Sequence, residues 1–566
     1  MSEEDTDPAP RPGRIPRLLA AVAGLLSGAA ALTVAHAAAV RERPTTSPVV
    51  AVGGAMIDRV PTAVKDWAIR AFGENDKAVL QLGIVAVLAV AAAVLGRAAL
   101  THRRAGAAGV LLFGAVGAWA ALGRPDAAGP LDALPSLAGA LAGALVLYVL
   151  TGRLAPRRAA APGPGTAPAA DSAAGATTSH TQTDARTHTQ THSGSRGRGA
   201  DEPPWDRRGF VAAATAAAAL SAGAGGLART LGRARSGDAA SAREAVTLPP
   251  PVSPARPVPR AARLPIPGVS PFITPVKDFY RVDTALVVPE VDATRWRLRI
   301  RGTGVTRPAD LSFADLLGRG LIERDITLTC VSNEVGGPYV GNARWIGVPL
   351  AGLLAACGVR PPSRGGPADQ LVARSVDGMT IGTPVEDVMD GRDALLAVGM
   401  NGEPLTFEHG FPVRMVVPGL YGYVSACKWI EELELTTFDA YDAYWVKRKW
   451  ARRAPVGTQS RIDTPRPFSR PDAGPVMVAG VAWAQRRGIR RVEVSVDDGP
   501  WRDAVLAAED SRDTWRQWSF AWRPEPGTHT LTVRATDGDG AVQPAERTRP
   551  FPDGARGRHS VVVTVV

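Results

Sequence analysis

Four apolar runs crowd the first 150 residues: Ile15 to Val40, Lys77 to Gly96, Ala105 to Leu122 and Leu131 to Leu150. Each approaches the roughly 20 apolar residues that a helix needs to cross a bilayer. A single run would fit a signal peptide and isolated runs would fit core helices. Four in succession, built from Ala, Gly, Val and Leu, point to a membrane bundle over 15–151. Arginines set the expected orientation. Arg11 and Arg14 precede the first run and Arg17 falls in its first turn, Arg97, Arg103 and Arg104 separate the second and third, and Arg153, Arg157 and Arg158 follow the fourth. All three clusters share one side if the N-terminus is cytoplasmic. The 41–76 loop departs from that rule, with Arg41, Arg43, Arg59, Lys65 and Arg70 outside.

Residues 1–14 read as a polar, disordered tail and 152–204 as a low-complexity disordered linker of Ala, Pro, Gly, Thr, Ser and His. A fifth apolar segment occupies 205–230, from Trp205 through AAATAAAAL to Ala228 and just beyond. Arg207 and Arg208 open it and resemble an internal twin-arginine export signal. Five spans would place everything that follows outside the cytoplasm. Residues 231–262 read as a Pro-rich spacer, and the globular part then divides into 263–440 and 441–566.

Lys and Arg exceed Asp and Glu by 65 to 54, a net charge of +11. The arginines are scattered or flank apolar runs, and no basic helix interleaved with aromatics stands out, so no nucleic-acid partner is expected. Three cysteines, Cys330, Cys357 and Cys427, form no CxxC pair. That argues against structural zinc, iron–sulfur clusters, c-type haem and a disulfide framework. No haem is expected in this polypeptide, so electrons would pass to or from a separate carrier, a membrane-bound one included.

Within the globular part, DITLTCVSNEVGG (325–337) alternates as a half-buried strand and ends in a Gly-Gly loop. Cys330 is therefore delivered from a rigid strand to a loop mouth, where a reactive or metal-binding thiolate would be placed; taken alone, a lone cysteine reads more often as a small buried hydrophobe. Cys357 lies on the apolar i, i+3, i+4, i+7 face of VPLAGLLAACG, as a core residue. Ser312 and Asp315 have the spacing of a capping box. His409, Arg414 and Lys428 converge on short turns between strands and could cradle an anion.

NGEPLTFEHGFPVRMVVPG with its following lysine–tryptophan step, LTCVSNEVGG and DFYRVDTAL occur in the order found in the sulfite oxidase family of molybdopterin-dependent oxidoreductases. The chain resembles that family's bacterial, membrane-anchored members from about Pro265 to its C-terminus. The resemblance implies a multi-domain protein: transmembrane α-helices, an α+β molybdopterin domain, then an all-β immunoglobulin-like sandwich that dimerises. It implies a molybdenum–molybdopterin cofactor with Cys330 as the metal's thiolate ligand. Phe279, Tyr280 and Arg281 would line the pterin and the active site, with Tyr280 and Arg281 catalytic beside Cys330. Asp377 and Thr383 would contact the cofactor, His409 and Arg414 would hold the pterin and its phosphate, and Ser425, Ala426 and Lys428 would form the last binding turn.

The chain departs from the pattern in three places. Lys277, Asp278 and Asp283 stand around a motif that usually carries Asn or Arg-Asn-His. The final turn has one extra residue near Cys427. Asn333 and Glu334 replace the arginines that sulfite-oxidising members place after the cysteine. The implied activity is two-electron oxygen-atom transfer on a small molecule. A sulfoxide reductase resembling periplasmic methionine-sulfoxide-reducing enzymes is one rival reading. A non-enzymatic membrane receptor using the sandwich as a binding module is another. From Pro455 onward, short alternating strands with Asp-Gly turns signal the sandwich. Its tryptophans, Trp483, Trp501, Trp515, Trp518 and Trp522, read as core and interface residues.

Overall fold

A computed structural model describes residues 14–42, 46–60, 64, 71–72, 76–124, 127, 129–155 and 205–566. The tail 1–13 and most of the linker, 156–204, lie outside the described residues. The chain forms two compact units, one ending at Ala228 and the other beginning at Arg229 apart from a short stretch near 122–129.

The first unit is helical: α1 (Arg14–Glu42), α2 (Pro48–Arg59), α3 (Asp76–Ala98), α4 (Arg103–Leu122), α5 (Leu134–Leu154) and the start of α6 (Arg207–Glu244). All but α2 are long and apolar enough to cross a membrane. Small residues let the backbones approach closely. A side chain at Gly96 would lie 2.1 Å from the carbonyl of Ala20, so only glycine fits where α1 and α3 cross. The Ser27 hydroxyl donates to the Gly143 carbonyl at 2.8 Å, which satisfies a polar group between α1 and α5.

Helix α6 runs on to Glu244, so residues 231–244, read from the sequence as spacer, are helical. Their Ala, Arg and Leu content sustains the helix after the apolar run ends. Arg243 then donates to the carbonyls of Leu405 and Pro404 at 2.7 and 3.0 Å. The prolines that follow hold an extended strap rather than a free tether. Between them, Val252 donates to Leu321 O, Ser253 O accepts from Glu323, and Ala261 O accepts from Ala508. Proline fixes φ and removes donors, but Val252 keeps its own and can pair with a sheet edge.

Two five-stranded sheets build the body that carries the site. One has the order β2 (Ala309–Ser312), β1 (Arg297–Gly302), β10 (Ile430–Thr436), β5 (Gln370–Ser375), β6 (Thr380–Pro384). The other has the order β3 (Ile322–Thr329), β4 (Val340–Pro349), β7 (Leu395–Met400), β8 (Glu403–Pro404), with β9 (Arg414–Val416) on β7. The Ser312–Asp315 capping box is formed. Cys357 is buried in the core behind the helix Leu350–Ala356.

The C-terminal part is a sandwich of two four-stranded antiparallel sheets. Their orders are β11 (Gln459–Thr464), β12 (Val476–Trp483), β16 (Arg516–Trp522), β15 (Val505–Leu506), and β14 (Arg502–Asp503), β13 (Ile489–Val496), β17 (Gly527–Asp537), β18 (His559–Val565). Trp518, Phe520 and Trp522 fill the core between them. Trp483 and Trp515 instead complete the core of the first body. Residues 441–456 also belong there: Tyr421 N donates to Ala454 O and Val456 N to Gly419 O. The boundary therefore falls near Gln459, later than the composition suggests.

Candidate cofactor site

β3 ends at Thr329, and Cys330 follows with its N–H donating to Tyr339 O at 2.9 Å. Asn333 N returns to Cys330 O at 3.1 Å and Asn333 Oδ1 accepts from Tyr339 N at 2.8 Å, which closes the loop upon itself. Cys330 is buried, and burial pushes its thiol above the ordinary range while a hydrogen bond from Ser332 pulls the other way. Asn333 is buried and Glu334 is exposed, so the carboxylate after the cysteine faces away from the interior.

The C-terminal sandwich grips this loop. Arg461 donates to Gly337 O at 2.8 Å and to Ser270 Oγ at 2.9 Å. Gly336, at φ +79°, leaves room that the His559 ring takes up; a Cβ there would meet it at 2.2 Å. Burial and the Arg461 and Arg547 cations hold His559 down at about 4. Below the cysteine, Gln485 donates to Thr327 O at 3.0 Å and Trp515 N donates to Thr327 Oγ1 at 2.7 Å.

Phe279 and Tyr280 stack with centroids 5.1 Å apart, and Phe279 meets both Trp345 and His409 edge-on at 5.7 Å. Burial and the neighbouring Cys330 hold the Tyr280 phenol protonated, against an opposing pull from Arg414. Tyr280, Cys330 and Arg414 thus share one low-dielectric region. Arg281 is exposed at its rim; the Glu408 carboxyl is held low, against burial, by hydrogen bonds with its own backbone and Thr406 and then by Arg281.

Arg414 is 6% exposed, and among the described residues no carboxylate pairs with it. Its guanidinium lies 5.0 Å over the Trp345 ring and donates weakly to His409 O at 3.4 Å, and its Nε finds no partner. Burial lowers it to about 10. A desolvated cation without a counter-charge is costly unless an anion completes it. His409 is held at about 4, first by burial and then by Arg414, and is therefore neutral at pH 7. Its Nε2 faces Val276 O at 3.1 Å, which places the proton on Nε2 and leaves Nδ1 as an acceptor.

The remaining residues divide by role. Lys428 donates to Asp283 Oδ2 at 2.9 Å and Glu408 O at 3.0 Å, a buried pair that ties the 279–283 segment to the 408–410 turn. Thr383 donates to Val424 O, and Ser425 turns its hydroxyl onto Leu420 O and Tyr421 O at 3.0 Å. Both buttress the helix Gly422–Ser425, and Ala426 follows at its C-cap. Asp377 accepts from Met379 N at 3.2 Å, and burial first, then the Asp377 carboxylate, push the Cys427 thiol up. Sequence reasoning did not pair Asp283 with Lys428 and did not single out Tyr339, Trp345 or Arg461. The reversal to an acid at position 283 was the available signal for the first.

Comparison with known proteins gives the family. Residues 285–445 match the oxidoreductase molybdopterin-binding domain, a span that holds Cys330, Asp377, Thr383, His409, Arg414, Ser425, Ala426 and Lys428. Human mitochondrial sulfite oxidase is 30% identical over 48% of this chain and 57% of its own length. Gallus gallus sulfite oxidase is 30% identical over 48% of this chain and 68% of its own. The chain therefore spans a little over half of the mammalian relatives. The solved sulfane dehydrogenase SoxCD of Paracoccus pantotrophus is 26% identical, with a TM-score of 0.46, covering 54% of this chain and 84% of that one. On the identity and coverage of the avian relative, the chain belongs to the sulfite oxidase family.

Proposed function

We propose that this protein is a membrane-anchored molybdopterin oxidoreductase that moves one oxygen atom and two electrons on a small substrate. The observation that carries the reading is Arg414, a buried guanidinium lacking an anion at the centre of a matched molybdopterin-binding domain. The residues fit the cofactor. Arg414, with Lys428 and Arg281 nearby, would take the phosphate and pterin, and neutral His409 offers Nδ1 as an acceptor. Cys330 would supply the soft ligand that suits such a metal. Among the described residues no group of three or more His, Cys, Asp or Glu could hold an ion, so the metal would arrive with its organic half. When bound, the cofactor supplies the two-electron chemistry.

The chain's own residues then bind, orient and shield. Tyr280 keeps its proton and can donate it to a substrate or cofactor oxygen. Phe279 and Trp345 exclude water along one wall. Arg281 at the rim offers the first charge that an incoming anion meets. With Glu334 turned outward, the carboxylate that would repel such a substrate is removed. Assays in both directions test the reaction: sulfite with an oxidised carrier, and methionine sulfoxide with reduced viologen. Turnover in the first is expected. Turnover in the second alone would reverse the assignment.

The five apolar helices are read as spans with a cytoplasmic N-terminus, and the globular part as extracytoplasmic. The C-terminal sandwich is read as immunoglobulin-like and as the face of a homodimer. Phosphatase fusions after Thr247 should be active and fusions within 160–200 inactive. The opposite pattern would place the globular part in the cytoplasm. Replacing Arg207 and Arg208 by Lys should block export if the pair is a twin-arginine signal, and normal export would leave them as ordinary flanks.

A further inference from the structure

Trp445 to Arg453 reads WVKRKWARR, with five cations in seven residues and no acid among them. Lys447, Lys449, Arg452 and Arg453 are exposed. Arg452 meets Asp442 at 3.0 Å and Asp439 at 3.7 Å. Lys447 and Arg453 lie over the rings of Tyr441 and Phe438, and among the described residues they and Lys449 have no carboxylate partner. Lys449 sits at φ +71°, a left-handed conformation that a side chain adopts at some cost and that turns it outward at the tip. This is a compact positive surface held in fixed geometry.

Aromatic rings lead inward from it. Trp450 meets Trp445 at 5.9 Å, Phe551 at 5.3 Å and Tyr423 at 5.7 Å. Phe551 is 48% exposed, so one end of the cluster reaches solvent. Tyr423 follows Gly422, and a Cβ on Gly422 would lie 3.7 Å from Thr329 O and 4.0 Å from the Tyr280 hydroxyl. The ring cluster therefore runs from the basic loop to Tyr423, whose backbone neighbour Gly422 lies against the strand end before Cys330.

We propose that the Val446–Arg453 loop docks an acidic one-electron carrier protein, with Trp450 and Tyr423 as its path to the cofactor site. The inference rests on the oxidoreductase reading above. Oxidation of one substrate molecule releases two electrons, and two oxidised carriers each take one and leave reduced. Charge complementarity favours an acidic protein. An anionic lipid surface would use the same cations, but it would make no use of rings that run inward.

The test uses the full, cofactor-loaded chain in detergent. Its probes are the acidic haem domain of cytochrome b5, basic horse-heart cytochrome c, and vesicles of phosphatidylglycerol or phosphatidylcholine. Wild type should bind the acidic haem domain with an affinity that falls steeply with salt, and should bind the basic protein far less. The triple variant Lys447→Glu, Lys449→Glu, Arg453→Glu should bind the acidic probe about tenfold more weakly or worse. All three side chains are exposed, so its melting temperature should stay near wild type. Trp450→Leu should keep the affinity and slow reoxidation of the dithionite-reduced enzyme by bound carrier. Unchanged affinity in the triple variant overturns the proposal. So does loss of phosphatidylglycerol binding with carrier binding intact, which would assign the loop to a lipid surface. Carrier binding by a chain that holds no molybdenum would overturn the oxidoreductase reading and leave the docking surface standing.

Discussion

Cys330→Ala is expected to abolish turnover and any thiolate-to-metal absorption, while Cys357→Ala leaves both intact. The difference follows from position. Cys330 ends a strand at a loop that the C-terminal sandwich clamps, and its thiol reaches the region shared by Tyr280 and Arg414. Cys357 closes a helix face inside the core, so its loss should cost about 1–2 kcal/mol of packing and no activity. The Cys330 thiol is held protonated by burial, and a bound metal would be the agent that ionises it. Absorption spectra and turnover of the two purified variants decide the matter. Full turnover in Cys330→Ala would remove it from the metal.

Arg414→Gln should have two effects of opposite sign. Cofactor content should fall by at least about tenfold, because the anion loses its buried forked donor. The cofactor-free chain should become more stable, by about 1–3 kcal/mol, because an unpaired buried charge has gone. A residue that merely held the fold together would lower both. Pterin content and the thermal melting of loaded and stripped protein read the two effects separately. A destabilised stripped chain with normal pterin content would make Arg414 structural.

Local features of this chain were legible in its sequence. The Ser312–Asp315 spacing and the apolar face ending in Cys357 each act within a few residues, and each stands as read. The strand before Cys330 forms as expected but is not half-buried: Asp325, Thr327 and Thr329 are buried along with Ile326 and Leu328, because other elements cover both of its faces. Pairings across long separations were not legible. Asp283 and Lys428 lie 145 positions apart, and Arg461 reaches Gly337 across 124. Nothing in either local pattern names the partner. The Pro-rich strap was misleading because composition reports which donors are missing, not where Val252 places its N–H or what the Ser253 carbonyl accepts. The Thr383 and Ser425 hydroxyls donate to backbone carbonyls, an arrangement that their motifs do not announce. Matching a motif to a position cannot distinguish a residue that touches a ligand from one that braces the residue that does.

The most direct test is the molybdenum and pterin content of the full chain, purified from cells supplied with molybdate. The buried, anion-seeking Arg414 and the loop-mounted Cys330 predict about one molybdenum atom per chain, with its pterin, in the folded protein. A folded, monodisperse chain that holds neither would contradict the account.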